Sequence, residues 1–245
     1  MGTTFIIAKR EFRSNFDSPL AYVVICLGLI LLGFVFFFWG GGFWQEDQAS
    51  LARIFRYSPW GLSLLVVPVV TMRLLAEERR SGTLEMLITL PVKDHEVILG
   101  KFLGAWGLVL LLILSTAIYP IMMFKWPFHL GSPDMGPITS GYLGLILYSA
   151  AAVSIGLLIS ALTESQTIAF LVTVAILFFL HGIGVASESA PWPWLRTVIS
   201  FISFETRIEP FTKGLINTRD IVYFVSIAVG CLMAAFRALE RRKWA

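Results

Sequence analysis

An all-α polytopic membrane protein with six transmembrane helices is the fold class this sequence predicts, on three observations. Hydrophobic residues make up 57% of the 245-residue chain and charged residues only 14%, with a mean hydropathy of +0.79, far outside the range of water-soluble domains. Apolar runs of about twenty residues recur along the chain, each long enough to cross a hydrocarbon core. The third observation is a single long charged interruption, residues 73–101, RLLAEERRSGTLEMLITLPVKDHEVILGK, carrying Arg73, Arg79, Arg80, Lys93 and Lys101. Within it Leu84, Leu87 and Ile88 recur at helical spacing and Pro91 ends the unit. A helix so short is not stable alone and needs a surface to dock on. The stretch reads as a membrane protein's handle for a soluble partner.

Taken in order, residues 3–17 place Phe5, Ala8, Phe12 and Phe16 on one helical face and Arg10, Arg13 and Asp17 on the other, next to Lys9. This is the pattern of a helix in the membrane interface, and Ser18-Pro19 then breaks or restarts the chain. Residues 19–39 form the first span, which is too long for a signal-peptide core and is read as retained. Residues 58–76 form the second, with Pro59 near its start and Pro68 inside, which neighbouring helices can accommodate. Residues 97–124 form the third, bent at its far end by Pro120. Residues 141–162 and 166–186 form the fourth and fifth, joined so tightly that they must run antiparallel. Ser149, Ala150, Ala151, Ala152, Ser154, Gly156 and Ser160 in the fourth span let another helix approach closely, and packing within the chain is the expected use of them.

Residues 187–219 are too polar to span and too apolar for a free loop. Trp192, Trp194, Phe201, Phe204 and Phe211 interleave there with Arg196, Glu205, Arg207, Glu209 and Lys213. Short helices dipping into the interface, over about residues 190–218, would bury the aromatics and keep the charges wet. Residues 221–239 form the sixth span.

Cation counting sets the expected orientation. Lys9, Arg10, Arg13, the five handle cations, Arg237, Arg241, Arg242 and Lys243 fall on one side, twelve of the nineteen Lys and Arg. Arg53, Arg56, Lys125, Arg196, Arg207, Lys213 and Arg219 fall on the other. Both termini and the handle are therefore expected in the cytoplasm of a multi-pass protein of the bacterial inner membrane.

Little in the sequence points to chemistry. A net charge of +3 is too small to indicate nucleic acid. Cys26 and Cys231 lie in apolar runs and support neither a disulfide frame nor a zinc site. His95, His129 and His181 fall at different membrane levels, so no metal is expected, and His181 reads as a packed residue. No phosphate-binding G-x-x-x-x-G-K-[ST] loop exists, so no catalytic residue is assigned and any ATPase must be another polypeptide.

The handle carries a family likeness. Arg73, Glu77-Glu78-Arg79-Arg80-Ser81-Gly82-Thr83-Leu84-Glu85, then Leu87, Thr89-Leu90-Pro91 and Gly100-Lys101, resembles the loop of ABC-2 type transporter permeases. Gly214-Leu215-Ile216-Asn217-Thr218-Arg219-Asp220 before the last span is similar to permeases of the gliding-motility and nitrous-oxide-reductase-maturation group. The likeness implies a permease that pairs with a second permease chain, identical or paralogous, and with two copies of a separate ATP-binding subunit holding ATP and Mg, with room for an accessory membrane protein. It implies a coupling helix over residues 82–91, with Leu84, Leu87 and Ile88 as its docking face. Glu77, Glu78, Arg80 and Glu85 would supply polar pairs, Gly82 and Thr83 its entry and Pro91 its exit. Lys9, Arg10, Phe12, Arg13 and Phe16 would belong to a connecting helix. Trp192, Trp194, Phe201, Phe204, Glu205 and Phe211 would belong to re-entrant outer helices. The expected function is ATP-coupled export of a lipid or other amphiphile, or mechanical work across the membrane. The alternative is a scaffold that anchors a motility or maturation complex without moving cargo.

Overall fold

A computed structural model describes residues 2–38, 51–82, 93–124, 134–187 and 192–240, and these are built of helices and their connecting turns. The coupling unit expected from Thr83 to Pro91 lies outside the described residues.

Helix α1 (Thr3–Asp17) stops at Ser18, whose backbone is extended, and Pro19 opens α2 (Pro19–Phe37) from its first position, where a missing N–H costs nothing. The two axes diverge by 79°. Next come α3 (Ala52–Gly61), a π-helical turn (Leu62–Val66) and α4 (Val67–Thr71), which run on through a turn at residues 72–75 into α5 (Ala76–Arg80). The wide turn sits where Pro68 withholds the N–H that the Leu64 carbonyl would otherwise accept. Helix α6 (Asp94–Ser115) breaks at Thr116 and Ala117 before α7 (Ile118–Phe124). Thr116 is four residues before Pro120, so the expected bend has its expected cause.

Asp134 caps α8 (Met135–Leu162) by accepting from the Gly136 N–H at 3.1 Å, and α9 (Gln166–Ser187) returns antiparallel. Two short helices, α10 (Pro193–Ile202) and α11 (Phe204–Thr212), precede α12 (Thr218–Glu240). Between α11 and α12 the chain turns through Gly214 at φ +85°. Leu215 N–H donates to Pro210 O at 3.0 Å and Gly214 N–H to Phe211 O at 3.3 Å, a Schellman closure that needs a residue in the left-handed region.

Among the described residues, five helical stretches are long and apolar enough to cross a membrane, and six if the bent pair of α1 and α2 is counted as one span. The helices outrun the spans read from sequence most at residues 52–80 against 58–76 and 135–162 against 141–162. The chain is a polytopic, all-helical membrane protein. Its core gathers on α8, which packs against α3, α4, α6, α9, α11 and α12. Ser149, Ala151, Ala152, Ser154, Gly156 and Ser160 are buried within the chain, with Ala150 half-buried, so the small-residue face of α8 is spent on internal packing. Helices α9 and α12 instead turn most of their surface outward; Val222, Val225, Val229 and Met233 form an exposed apolar ridge on α12.

Candidate functional site

The root of the charged handle is built from three helices. Helix α1 lies along the first turns of α6, where Gly100, Gly104 and Gly107 leave the room it needs. A Cβ on Gly104 would stand 2.7 Å from Glu11 Cβ and 3.2 Å from both the Ala8 carbonyl and the Phe12 nitrogen. Backbone atoms cannot step aside as a flexible side chain can. Gly104→Ala is accordingly expected to cost about 1–3 kcal/mol, as overpacking does elsewhere, measured as a lower thermal unfolding midpoint together with faster proteolysis at the N-terminal helix. This contact also shows which side of α1 meets the bundle. Ala8 is buried and Phe12 and Phe16 half-buried, but Phe5 is 58% exposed, because the inward stripe runs through Ile7, Ala8 and Glu11. Lys9, Arg10 and Arg13 are exposed.

Lys101 is the centre of this root. It is 2% exposed on α6, and its Nζ lies 2.7 Å from Glu78 Oε1 of α5 and 3.3 Å from Glu11 Oε1 of α1. One ammonium thus joins three helices. Thr3 hydrogen-bonds Glu96 at the neighbouring ends of α1 and α6, and Arg10 approaches Glu11 at 3.3 Å. Glu78, expected to face a partner, is turned inward; the sequence alone could not say which way this carboxylate points. Its neighbour Glu77 is half-exposed and held by Arg73 Nε at 2.9 Å, while Arg80, Ser81 and Gly82 are exposed. Gly82, at φ +72°, terminates α5, with its N–H on Arg79 O at 3.2 Å. Thr83, Leu84, Glu85, Leu87, Ile88 and Pro91 fall outside the described residues.

The turn just before α5 has its own support. Met72 to Leu75 leave the helical ladder, and Ser160 of α8 accepts from the N–H groups of Leu75 and Ala76, both at 3.1 Å. The same hydroxyl lies 3.4 Å from the Met72 carbonyl, to which it donates. A single side chain therefore satisfies the backbone where the span becomes the handle. Beside it opens a polar cleft of about 420 Å³, lined by residues of α1, α4 and α5 with Lys101 at its base.

At the opposite end of the bundle, the expectation for residues 187–219 needs one correction, at Arg207. Phe204 and Phe211 are fully buried, but Trp192, Trp194 and Phe201 are more than half exposed, the two tryptophans stacked at 6.1 Å. Arg207, expected to be wet, is buried. It donates to Asp220 Oδ1 at 3.0 Å, approaches the Phe201 carbonyl at 3.4 Å and lies over the rings of Phe201 and Tyr223. Burial of a guanidinium is sustained here by a carboxylate and two aromatic faces. Glu205 pairs with Arg56 of α3 at 3.6 Å.

Between the two ends, Tyr148 of α8 is fully buried. Its hydroxyl meets Ser63 and the Pro59 carbonyl, the latter at 3.1 Å, and His181 Nε2 at 3.1 Å. His181 is 1% exposed and 5.0 Å from the Trp60 ring, the packed histidine the sequence led us to expect.

Among the described residues, the bundle offers a braced root for the handle at one end and a clamped cap at the other. Comparison with known proteins identifies the family. Residues 60–237 match the family described as ABC-2 family transporter protein. A probable multidrug ABC transporter permease, YbhR, of Escherichia coli K12 is 29% identical over 190 residues, covering 74% of this chain and 50% of that protein. The inner membrane transport permease YhhJ of the same organism is 29% identical over 164 residues, covering 60% of this chain and 42% of that protein. The chain thus spans half or less of the length of these curated relatives. On the extent of the family match and the membrane architecture, the chain belongs to the ABC-2 transporter family, as a multi-pass membrane subunit.

Proposed function

We propose that this subunit couples ATP hydrolysis on a separate ATP-binding protein to export of an amphiphile, with the handle as the coupling site. The observation that carries the reading is the Lys101 junction. Because α1, α5 and α6 meet on one buried cation, a push on the handle does not merely flex a loop; it moves three helices together. Closure of two ATP-binding subunits would thereby become rigid-body rearrangement of the spans. In this reading Leu84, Leu87 and Ile88 dock in the ATPase, and both termini and the handle are cytoplasmic, in a bacterial inner membrane. A second permease chain completes the pathway, and ATP and Mg reside on the partner. A drug-like or lipid cargo is in keeping with the multidrug designation of one relative and with the scarcity of charge inside the spans.

The test is co-purification of the permease with its ATP-binding subunit, wild type against Leu87→Asp. The aspartate would place a charge in an apolar docking face, and burying one unpaired costs several kcal/mol. Association is therefore expected to be lost while membrane insertion persists. Wild-type and variant proteins that bind the ATPase equally well would overturn the assignment of the handle.

A further inference from the structure

We propose that the groove between α2, α3 and α9 is a binding site for an aminophospholipid, with one acyl chain in the groove and the headgroup held between Arg56 and Glu205. The groove encloses about 540 Å³ at the end of the bundle away from the handle. Its walls are Leu31 and Phe34 of α2, Trp60 and Leu64 on the α3 side, and Phe178 of α9, a surface that suits hydrocarbon. The polar residues Arg56 and Glu205 line the same groove.

The state of that pair selects the headgroup. At 3.6 Å the two charges attract without a hydrogen bond, and the Arg56 side chain is 54% exposed. Glu205 keeps 21% of its side chain exposed, and Oε1, the oxygen that faces Arg56, carries no hydrogen bond. A carboxylate oxygen without a donor accepts readily from a ligand that brings an N–H. A primary ammonium brings one and a quaternary ammonium does not. A purely cationic amphiphile would meet Arg56 and a purely anionic one Glu205, so only a head carrying both signs satisfies the two. Phosphate on Arg56 and ammonium on Glu205 is that arrangement. The ligand goes no deeper: the space beyond Glu205, toward Pro59 and His181, is about 10 Å³, room for a single water at most.

This deepens the export reading by naming the cargo class, and its test does not use the ATPase. The full-length permease is placed in phosphatidylcholine nanodiscs containing one brominated-chain probe at a time: phosphatidylethanolamine, phosphatidylcholine or a simple alkylamine. The Trp60 contribution to tryptophan quenching is taken as the difference between wild type and Trp60→Phe. Phosphatidylethanolamine is expected to quench Trp60 at about tenfold lower mole fraction than phosphatidylcholine, the value of one hydrogen bond to a charged group. Glu205→Gln should bring it down to the phosphatidylcholine level, and Arg56→Gln down to the alkylamine level. Arg56 is exposed enough for that second variant to fold if the first does not. Equal quenching by the two phospholipids in wild type would overturn the site, as would variants that keep the wild-type ranking. A Leu87→Asp protein that loses its ATPase should keep the lipid preference, so the two readings fail separately.

Discussion

Replacing Lys101 by methionine is expected to destabilise the detergent-solubilised chain by about 3 kcal/mol, the lower end of what removal of one partner from a buried pair costs. The lower end applies because Glu11 and Glu78 keep 17% and 22% of their side-chain surface exposed. Methionine preserves the long unbranched stem, so packing changes little and the loss is electrostatic. What remains is two carboxylates drawn toward one place with no cation between them. Helices α1 and α5 should then part from α6, which hydrogen exchange would detect as faster exchange of the α1 and α5 amides. Glu11→Gln and Glu78→Gln combined with Lys101→Met remove the whole charge set, and that triple variant should recover to within about 1 kcal/mol of wild type. Thermal unfolding of the three proteins decides it. A single Lys101→Met variant as stable as wild type would mean that the cation bears no weight at this junction.

The same residue shows where the sequence was readable and where it was not. Lys101 could be counted toward the charge of the handle side, because counting needs only a residue's place along the chain. Its burial and its two partners depend on α1 folding back along Gly100, Gly104 and Gly107, and no local pattern announces a contact made across ninety residues. The glycine spacing was a signal available in the sequence and missed. The first helix and its break, by contrast, were legible, since periodicity and Pro19 are local. The breaks at Pro68 and Pro120 were legible for the same reason. Span ends were read too short at residues 52–57 because Arg53 and Arg56 look like loop; Arg56 is helical there and reaches Glu205 on α11. Aromatics in residues 187–219 looked alike in sequence. Which of them faced the core was settled by α11 seating on α8 beside Gly144, where a Cβ would stand 2.9 Å from Phe211.

The largest effect is expected at the other end of the molecule, from Asp220→Ala. Arg207 and Asp220 have 7% and 5% of their side chains exposed, so neither charge is relieved by water when its partner goes. A loss of about 3–5 kcal/mol follows from leaving the guanidinium buried and unpaired. The aspartate does more than pair. Asn217 stands just before α12; it donates from Nδ2 to Asp220 Oδ2 at 3.2 Å, and its backbone carbonyl accepts the Asp220 N–H at 3.1 Å. The Asn-x-x-Asp spacing is therefore both a helix start and one half of a clamp that ties α11 to α12. Removing it should release α11 first, since α12 retains its packing on α8. Hydrogen exchange should accelerate across residues 204–217 while the middle of α12 stays protected. Arg207→Met with Asp220→Leu replaces the pair by apolar side chains and is expected to restore most of the stability, because a hydrophobic substitute of similar size needs no counterion. Should the double variant remain as unstable as Asp220→Ala, the contact with Asn217 rather than the ion pair would be the dominant contribution, and Asp220→Asn would separate the two.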